Sequence, residues 1–168
     1  MANYNLSMIV IVMGVTGAGK TTIGQLLAQQ LNWQFADADD FHPAANVEKM
    51  RHGIALTDDD RRPWLESLHA AIAKWIGEGK NVVLACSALK RAYRDELEAG
   101  PEVRFVYLKG SAALIAQRLR ARHGHFAGEQ ILAGQFADLE EPQDAVTVEI
   151  GPAPQQIVAE IRENLSLA

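Results

Sequence analysis

Eight residues carry the strongest chemical signal in the chain. Gly14-Val15-Thr16-Gly17-Ala18-Gly19-Lys20-Thr21 fills every fixed position of the pattern G-x-x-x-x-G-K-[ST]. The chemistry of that spacing is polyphosphate binding. Glycines let the backbone curl closely around an anion, and the helix that follows presents unpaired N–H groups and a partial positive charge. The Lys20 ammonium is then placed to reach the β- and γ-phosphates of a nucleoside triphosphate, while the Thr21 hydroxyl joins a Mg2+ shell and the Thr22 amide extends the cradle. A tight turn before a helix is the plainer reading. The rarity of a full match in 168 residues, and the strand-like and helix-like segments on either side, weigh against it.

A second cluster, Asp37-Ala38-Asp39-Asp40-Phe41-His42-Pro43, follows a short apolar run, Trp33 to Ala36. Ligands of open α/β sheets collect beyond the carboxyl ends of strands, so these acids fall where a site is expected. Carboxylates at i and i+2 suit two tasks: one holds a magnesium ion through water, the other takes a proton from an attacking hydroxyl. Capping of the helix that Pro43 could begin accounts equally well for any one of them. The next buried run, Asn81 to Cys86, ends in Ser87 with no aspartate. The metal-binding acid is therefore missing from its usual place in a nucleotidase, which leaves Asp37 or Asp39 to serve the metal.

Arg118, Arg120, Arg122, His123 and His125 crowd around Gly124 and Phe126. Basic residues beside a break in the pattern suit a lid over phosphates, spanning about residues 118–137. A solvated helix face explains the arginines on their own, and the upstream phosphate loop tips the balance. The two histidines lack paired cysteines or ligand-like spacing, so no zinc site is expected.

The elements that must position these groups alternate. Met8 to Met13 is a buried strand and Thr21 to Leu31 a helix with Ile23, Leu26, Leu27 and Leu31 on one stripe. Ala44 to Gly53 is a short helix. Thr57-Asp58-Asp59-Asp60 reads as a helix start with Pro63 in its first turn, followed by the stripe Trp64, Leu65, Leu68, Ile72, Trp75 and Ile76. Further helices are predicted over 89–99, from Ser111 to Arg122, over 130–139 and over 155–165, with strands over 103–108 and 146–150. This order predicts a three-layer α/β sandwich around a five-stranded parallel sheet, of the P-loop NTPase and nucleoside-monophosphate-kinase type.

The length suits a single domain over 1–168. A net charge of -5 without a long basic block argues against a nucleic-acid surface and for a small partner. Cys86 is the sole cysteine, so no internal disulfide can form. The first residues carry no basic leader, and the apolar run behind them is too brief to cross a bilayer, so a soluble cytoplasmic protein with no membrane partner is expected.

With these segments placed, the sequence resembles the gluconokinase family of P-loop small-molecule kinases. The resemblance rests on the nucleotide loop and on Asp37-x-Asp39-x-x-His42-Pro43-x-x-Asn46-x-x-Lys49-Met50, Leu56-x-Asp58-Asp59-Asp60-Arg61-x-Pro63-Trp64-Leu65 and Ala85-Cys86-Ser87-Ala88-Leu89-Lys90-Arg91-x-Tyr93-Arg94-Asp95. Phe105 to Gly110, His125-Phe126 and Gln135-Phe136-x-x-Leu139-Glu140-x-Pro142 continue it. Ala38 stands where the family usually has glycine, and Ala127 where a larger apolar residue is common. The resemblance implies ATP-dependent phosphorylation of D-gluconate at its 6-hydroxyl, a Mg2+ requirement and a homodimer. Its nearest rivals are a kinase of another small acceptor, such as shikimate or a nucleotide, and a nucleotide-binding switch that transfers nothing.

A polyhydroxy acid needs cations for its carboxylate and hydrogen-bonding groups for its hydroxyls, and the segment 39–65 offers both. Asp39, His42, Lys49 and Arg61 form the expected substrate set, with Lys90 and Arg94 as further cations. Lys20, Asp39 and Arg122 are the expected catalytic groups. Arg122 is the first choice among lid arginines because its place before His123-Gly124-His125-Phe126 matches the family's lid, and Arg118 is the second.

Overall fold

The computed structural model describes residues 7–123 and 127–167, with the side chains at 122, 123 and 127–130 outside that description. His125 and Phe126, expected in the lid, lie outside the described residues, as does the side chain of Arg122. The chain alternates as β1 (Ile9–Met13), α1 (Lys20–Leu31), β2 (Gln34–Asp37), a 3-10 turn (Ala38–Phe41), α2 (Ala44–Arg51), α3 (Asp58–Gly77), β3 (Val82–Ala85), α4 (Arg91–Leu97), β4 (Val103–Lys109), α5 (Ala112–His123), α6 (Ala127–Asp138), β5 (Val146–Glu149) and α7 (Pro154–Asn164).

The five strands are all parallel, in the order β2-β3-β1-β4-β5. β1 lies at the centre, which is why its five residues are apolar without interruption and all buried. Its side chains alternate between two cores. Val10 and Val12 pack with Leu27 of α1, Ile115 and Leu119 of α5 and Ile161 of α7. Ile9, Ile11 and Met13 pack with Leu68 and Ile72 of α3 and Leu97 of α4. One strand with a period of two thus builds both interfaces of the expected three-layer sandwich.

α3 starts one residue after Thr57, whose hydroxyl accepts Asp60 N–H at 3.1 Å while the Asp60 carboxylate accepts Thr57 N–H at 2.9 Å. Pro63 is consequently the sixth residue of the helix and not in its first turn. Its missing N–H would have bonded the carbonyl of exposed Asp59, which water can satisfy, so the helix continues through it. The carboxyl ends of β1, β2 and β3 carry the glycine loop, the two acids and Cys86-Ser87, all on one edge of the sheet.

Candidate active site

The glycine loop connects β1 to α1 through left-handed backbone that side chains disfavour. Gly17 has φ +79° and Gly19 φ +98°. Gly19 is also the N-cap of α1 and offers no side chain to its first amides, leaving them for a ligand. The Lys20 ammonium arches back to donate to Val15 O at 3.0 Å. Burial lowers its pKa, and the acids Asp39 and Asp37 act in the opposite direction.

Those acids stand at the end of β2, and the register explains the aspartate missing from β3. Asp37 is paired with Ala85, the last residue of β3, so the acid stands one strand over. The Thr21 hydroxyl donates to Asp37 Oδ2 at 3.4 Å, and Asp39 N–H donates to Asp37 Oδ1 at 2.9 Å. Asp37 caps the 3-10 turn and not the helix after Pro43. Burial, followed by the charge of Asp37, raises the pKa of Asp39, and Lys20 partly offsets this. Ala38 is fully buried without a left-handed backbone, and its carbonyl accepts the Trp64 indole N–H at 2.7 Å, so a Cβ at this position is accommodated.

Thr16, Gly17, Gly19, Lys20, Thr21, Thr22, Asp37 and Asp39 line one cavity of about 360 Å3, together with Ala85, Cys86, Ser87 and Gln135. Two hard oxygen donors, Thr21 and Asp37, face each other in it. That pair fits magnesium, which takes one or two protein oxygens and completes its shell with phosphate and water. Cys86 is buried and its thiol is pushed up to about 12, so it is an inert wall beside Lys20.

His42, next to the acids, stacks on Trp64 with centroids 4.5 Å apart. The Asn46 amide spends one N–H on Asp60 O at 2.7 Å and points the same nitrogen at His42 Nδ1, 3.2 Å away. Nδ1 must then be the acceptor, which puts the proton on Nε2. Burial and the neighbouring Arg61 charge lower the His42 pKa and favour this neutral form. Arg61 donates to Tyr93 Oη at 3.1 Å, Tyr93 donates to Asp58 at 2.5 Å, and Lys90 reaches the same Asp58 oxygen at 3.4 Å. Arg61 and Lys90 both lie over the Tyr93 ring.

Two of the expected substrate cations also tie segments of the fold together. Lys49 is in an ion pair with Asp60 at 2.8 Å, which ties α2 to the start of α3. Arg94 is 7% exposed and donates to the carbonyls of Ala88, Leu89 and Glu140 at 2.7, 3.0 and 2.7 Å. Its guanidinium therefore fastens the loop after β3 to the end of α6, a structural task beside the substrate contact expected of it. Arg118 donates to Ile150 O at 2.8 Å and lines a second, more apolar cleft of about 400 Å3 with Gly17, Ala18, Gly19, Thr22, Pro152 and Pro154. The glycine loop is the wall between the two cavities.

The family model described as shikimate kinase matches residues 16–164. The thermoresistant gluconokinase of Escherichia coli is 43% identical over 156 residues, which cover 90% of this chain and 89% of that one. The chain belongs to the gluconokinase family. The gluconokinase of Gluconobacter oxydans is 46% identical over 135 residues, 80% of this chain and 76% of that one. The crystal structure of a gluconokinase from Sinorhizobium meliloti superposes with a TM-score of 0.82 at 39% identity, covering 96% of this chain and 97% of that one. The chain is thus a phosphotransferase of the kinase type, which implies use of ATP, on the expected α/β fold. Within this gluconokinase-family site, Ser87, Gln135, Asp58 and Tyr93 carry positions to which the sequence pattern assigned no role. Only spatial neighbours mark them: Ser87 and Gln135 line the cavity, and Tyr93 bonds Asp58.

Proposed function

We propose that the chain transfers the γ-phosphoryl group of ATP to the 6-hydroxyl of D-gluconate, giving 6-phospho-D-gluconate and ADP. The observation that carries this reading is the position of Asp39. It lines the cavity beside Lys20, and three residues on stands His42, which lies within the field of the Arg61 charge; Arg61 in turn bonds Tyr93. A phosphate donor and an anionic acceptor can therefore meet at one carboxylate.

In this reading the loop amides and Lys20 hold the phosphates, while the second cleft takes the base against Arg118 and Pro152. Magnesium, held by Thr21 and through water by Asp37, supplies neutralising charge to the phosphates. Asp39 orients the 6-hydroxyl and takes its proton as the new O–P bond forms and the bond to the β-phosphate oxygen breaks. His42 Nε2–H donates to an acceptor hydroxyl, and Arg61 with Lys90 pairs the carboxylate at the far end. Arg122 is the candidate for neutralising the group in transfer. A homodimer and a cytoplasmic setting complete the reading, the first from the family resemblance and the second from the lone unpaired thiol of Cys86.

Mass spectrometry of the product formed from ATP with D-gluconate, alongside shikimate and nucleoside monophosphates, tests the assignment. A phosphorylated gluconate with little turnover of the others is expected. Preferential phosphorylation of another acceptor overturns the substrate, and ADP release without an acceptor product overturns the transfer.

A further inference from the structure

Gln135 reaches the phosphate cavity from the opposite end of the chain. Its Oε1 accepts the backbone N–H of Thr16 at 2.5 Å, across 119 positions of sequence, and its side chain lines the same cavity as Lys20 and Asp39. α6 is set firmly enough to aim it. Leu132 is buried in the core behind the glycine loop, Phe136 packs against that core, and just past the helix Glu140 N–H donates to Leu89 O at 2.9 Å.

The bond to Thr16 fixes the amide's orientation, because an N–H can be met only by the carboxamide oxygen. The Nε2 end is therefore turned away from Thr16, and among the described residues no protein acceptor takes it. The cavity's other walls show what would. Asp37 and Asp39 present negative oxygens on one side, so a transferring phosphoryl group needs donors elsewhere, and among the described lining residues Lys20 is the side-chain cation there.

We propose that Gln135 is a ligand of the terminal phosphate: Nε2–H donates to an oxygen of the group being transferred, while Oε1 stays on Thr16 N–H. This rests on the nucleotide half of the reading above and is independent of which acceptor is used. Gln135 serves as a sensor of whether the third phosphate is present.

Calorimetric titration of the full chain with Mg-ADP and with the non-hydrolysable triphosphate Mg-AMP-PNP, in the absence of any acceptor, tests it in the wild type, Gln135→Glu and Gln135→Ala. Glutamate keeps an oxygen for Thr16 but faces the phosphate with an acceptor and a charge. Gln135→Ala should weaken AMP-PNP about tenfold, the range of one hydrogen bond to a charged group, and Gln135→Glu should weaken it further. The Kd for ADP should stay within about threefold in both, and far-UV circular dichroism verifies that each variant is folded. Equal weakening of the two nucleotides, or AMP-PNP affinity left unchanged in Gln135→Glu, overturns the proposal. Should Gln135→Glu not fold, the alanine variant's ADP to AMP-PNP ratio decides alone. Wild-type chain that binds both nucleotides normally yet fails to phosphorylate gluconate removes the acceptor assignment and leaves this inference standing.

Discussion

Asp37 Oδ1 accepts the backbone N–H of Asp39 at 2.9 Å, so the acid assigned to the metal also fixes the backbone of the acid assigned to the proton. The two roles separate by substitution. Asp37→Asn retains an oxygen for the Asp39 amide but loses the charge facing Thr21, so the magnesium concentration for half-maximal rate should rise by about tenfold or more while saturating kcat falls less. Asp37→Ala removes both functions, and its kcat at saturating magnesium should drop below that of the asparagine variant. A magnesium dependence identical to wild type in both variants would take Asp37 off the metal.

Asp39 is expected to act as a base, which requires its carboxylate form. Its pKa is raised by burial and by Asp37, so kcat/KM should climb with pH through a value above the ordinary 3.8. The stability sign runs the other way. A raised folded-state pKa contributes stability present below the unfolded value and lost as pH rises through the folded one, so ionised Asp39 is a liability at neutral pH. Asp39→Asn should therefore melt at the same temperature or higher while kcat falls about a hundredfold or more, with ADP affinity within a few-fold. Near-normal turnover in that variant removes Asp39 from the chemistry.

Lys49 and Arg61 resemble each other in sequence but not in surroundings. Lys49 and Thr57 together draw the pKa of Asp60 down to about 2, and a depressed carboxylate contributes stability present above its unfolded value and lost as pH falls toward the folded one. Lys49→Met should shift the acid-unfolding midpoint to higher pH and leave the gluconate KM within about threefold. Arg61→Ala should raise the gluconate KM about tenfold or more with the ATP KM unchanged, as expected for a lost charge-assisted bond. The reverse pattern would put Lys49 on the substrate.

Arg94 yields a stability phenotype and not a binding one. In Arg94→Ala the carbonyls of Ala88 and Glu140 lose the guanidinium donor, while Leu89 O keeps the Glu140 N–H, a loss of about 2–4 kcal/mol by the usual cost of unmet buried polar groups. Denaturant unfolding should show that loss, and the folded fraction should keep its gluconate KM. A raised KM at unchanged stability would return Arg94 to the acceptor site.

The glycine loop, the central strand and the two acids were legible because each is written locally: a fixed spacing, an uninterrupted apolar run, carboxylates just past a strand. The partners of long cations were not. Nothing near Lys49 in sequence distinguishes it from Arg61, since its fate is decided by Asp60, eleven residues on, whose own place depends on the Thr57 capping box. Arg94 looks like any helical arginine until the fold brings Glu140 to it. Pro63 reads as a first-turn proline because the run Asp58 to Asp60 looks like a cap, whereas these acids are already helix. The Gln135 contact spans 119 positions of sequence and has no local signature.

Gly17 shows how closely the phosphate loop is fitted to the helix behind it. A Cβ at this position would lie 2.8 Å from Leu119 Cγ and 3.1 Å from Ile115 Cγ2, on a backbone with φ +79° that also disfavours any side chain. Gly17→Ala must therefore either push α5 back or flatten the loop, and flattening turns amides away from the phosphates. Mg-ADP affinity should fall about tenfold or more, with a loss of stability on the order of 1–3 kcal/mol. The two causes are separable through Leu119→Ala, which alone should cost about 2–5 kcal/mol as a buried truncation. The double variant should be destabilised by less than the sum, because the truncation frees the space the new methyl needs. Its ADP affinity should remain low, because the backbone conformation is still unfavourable. Strict additivity in stability, measured by denaturant unfolding of the four proteins, would mean that the loop and α5 do not press on each other at this point.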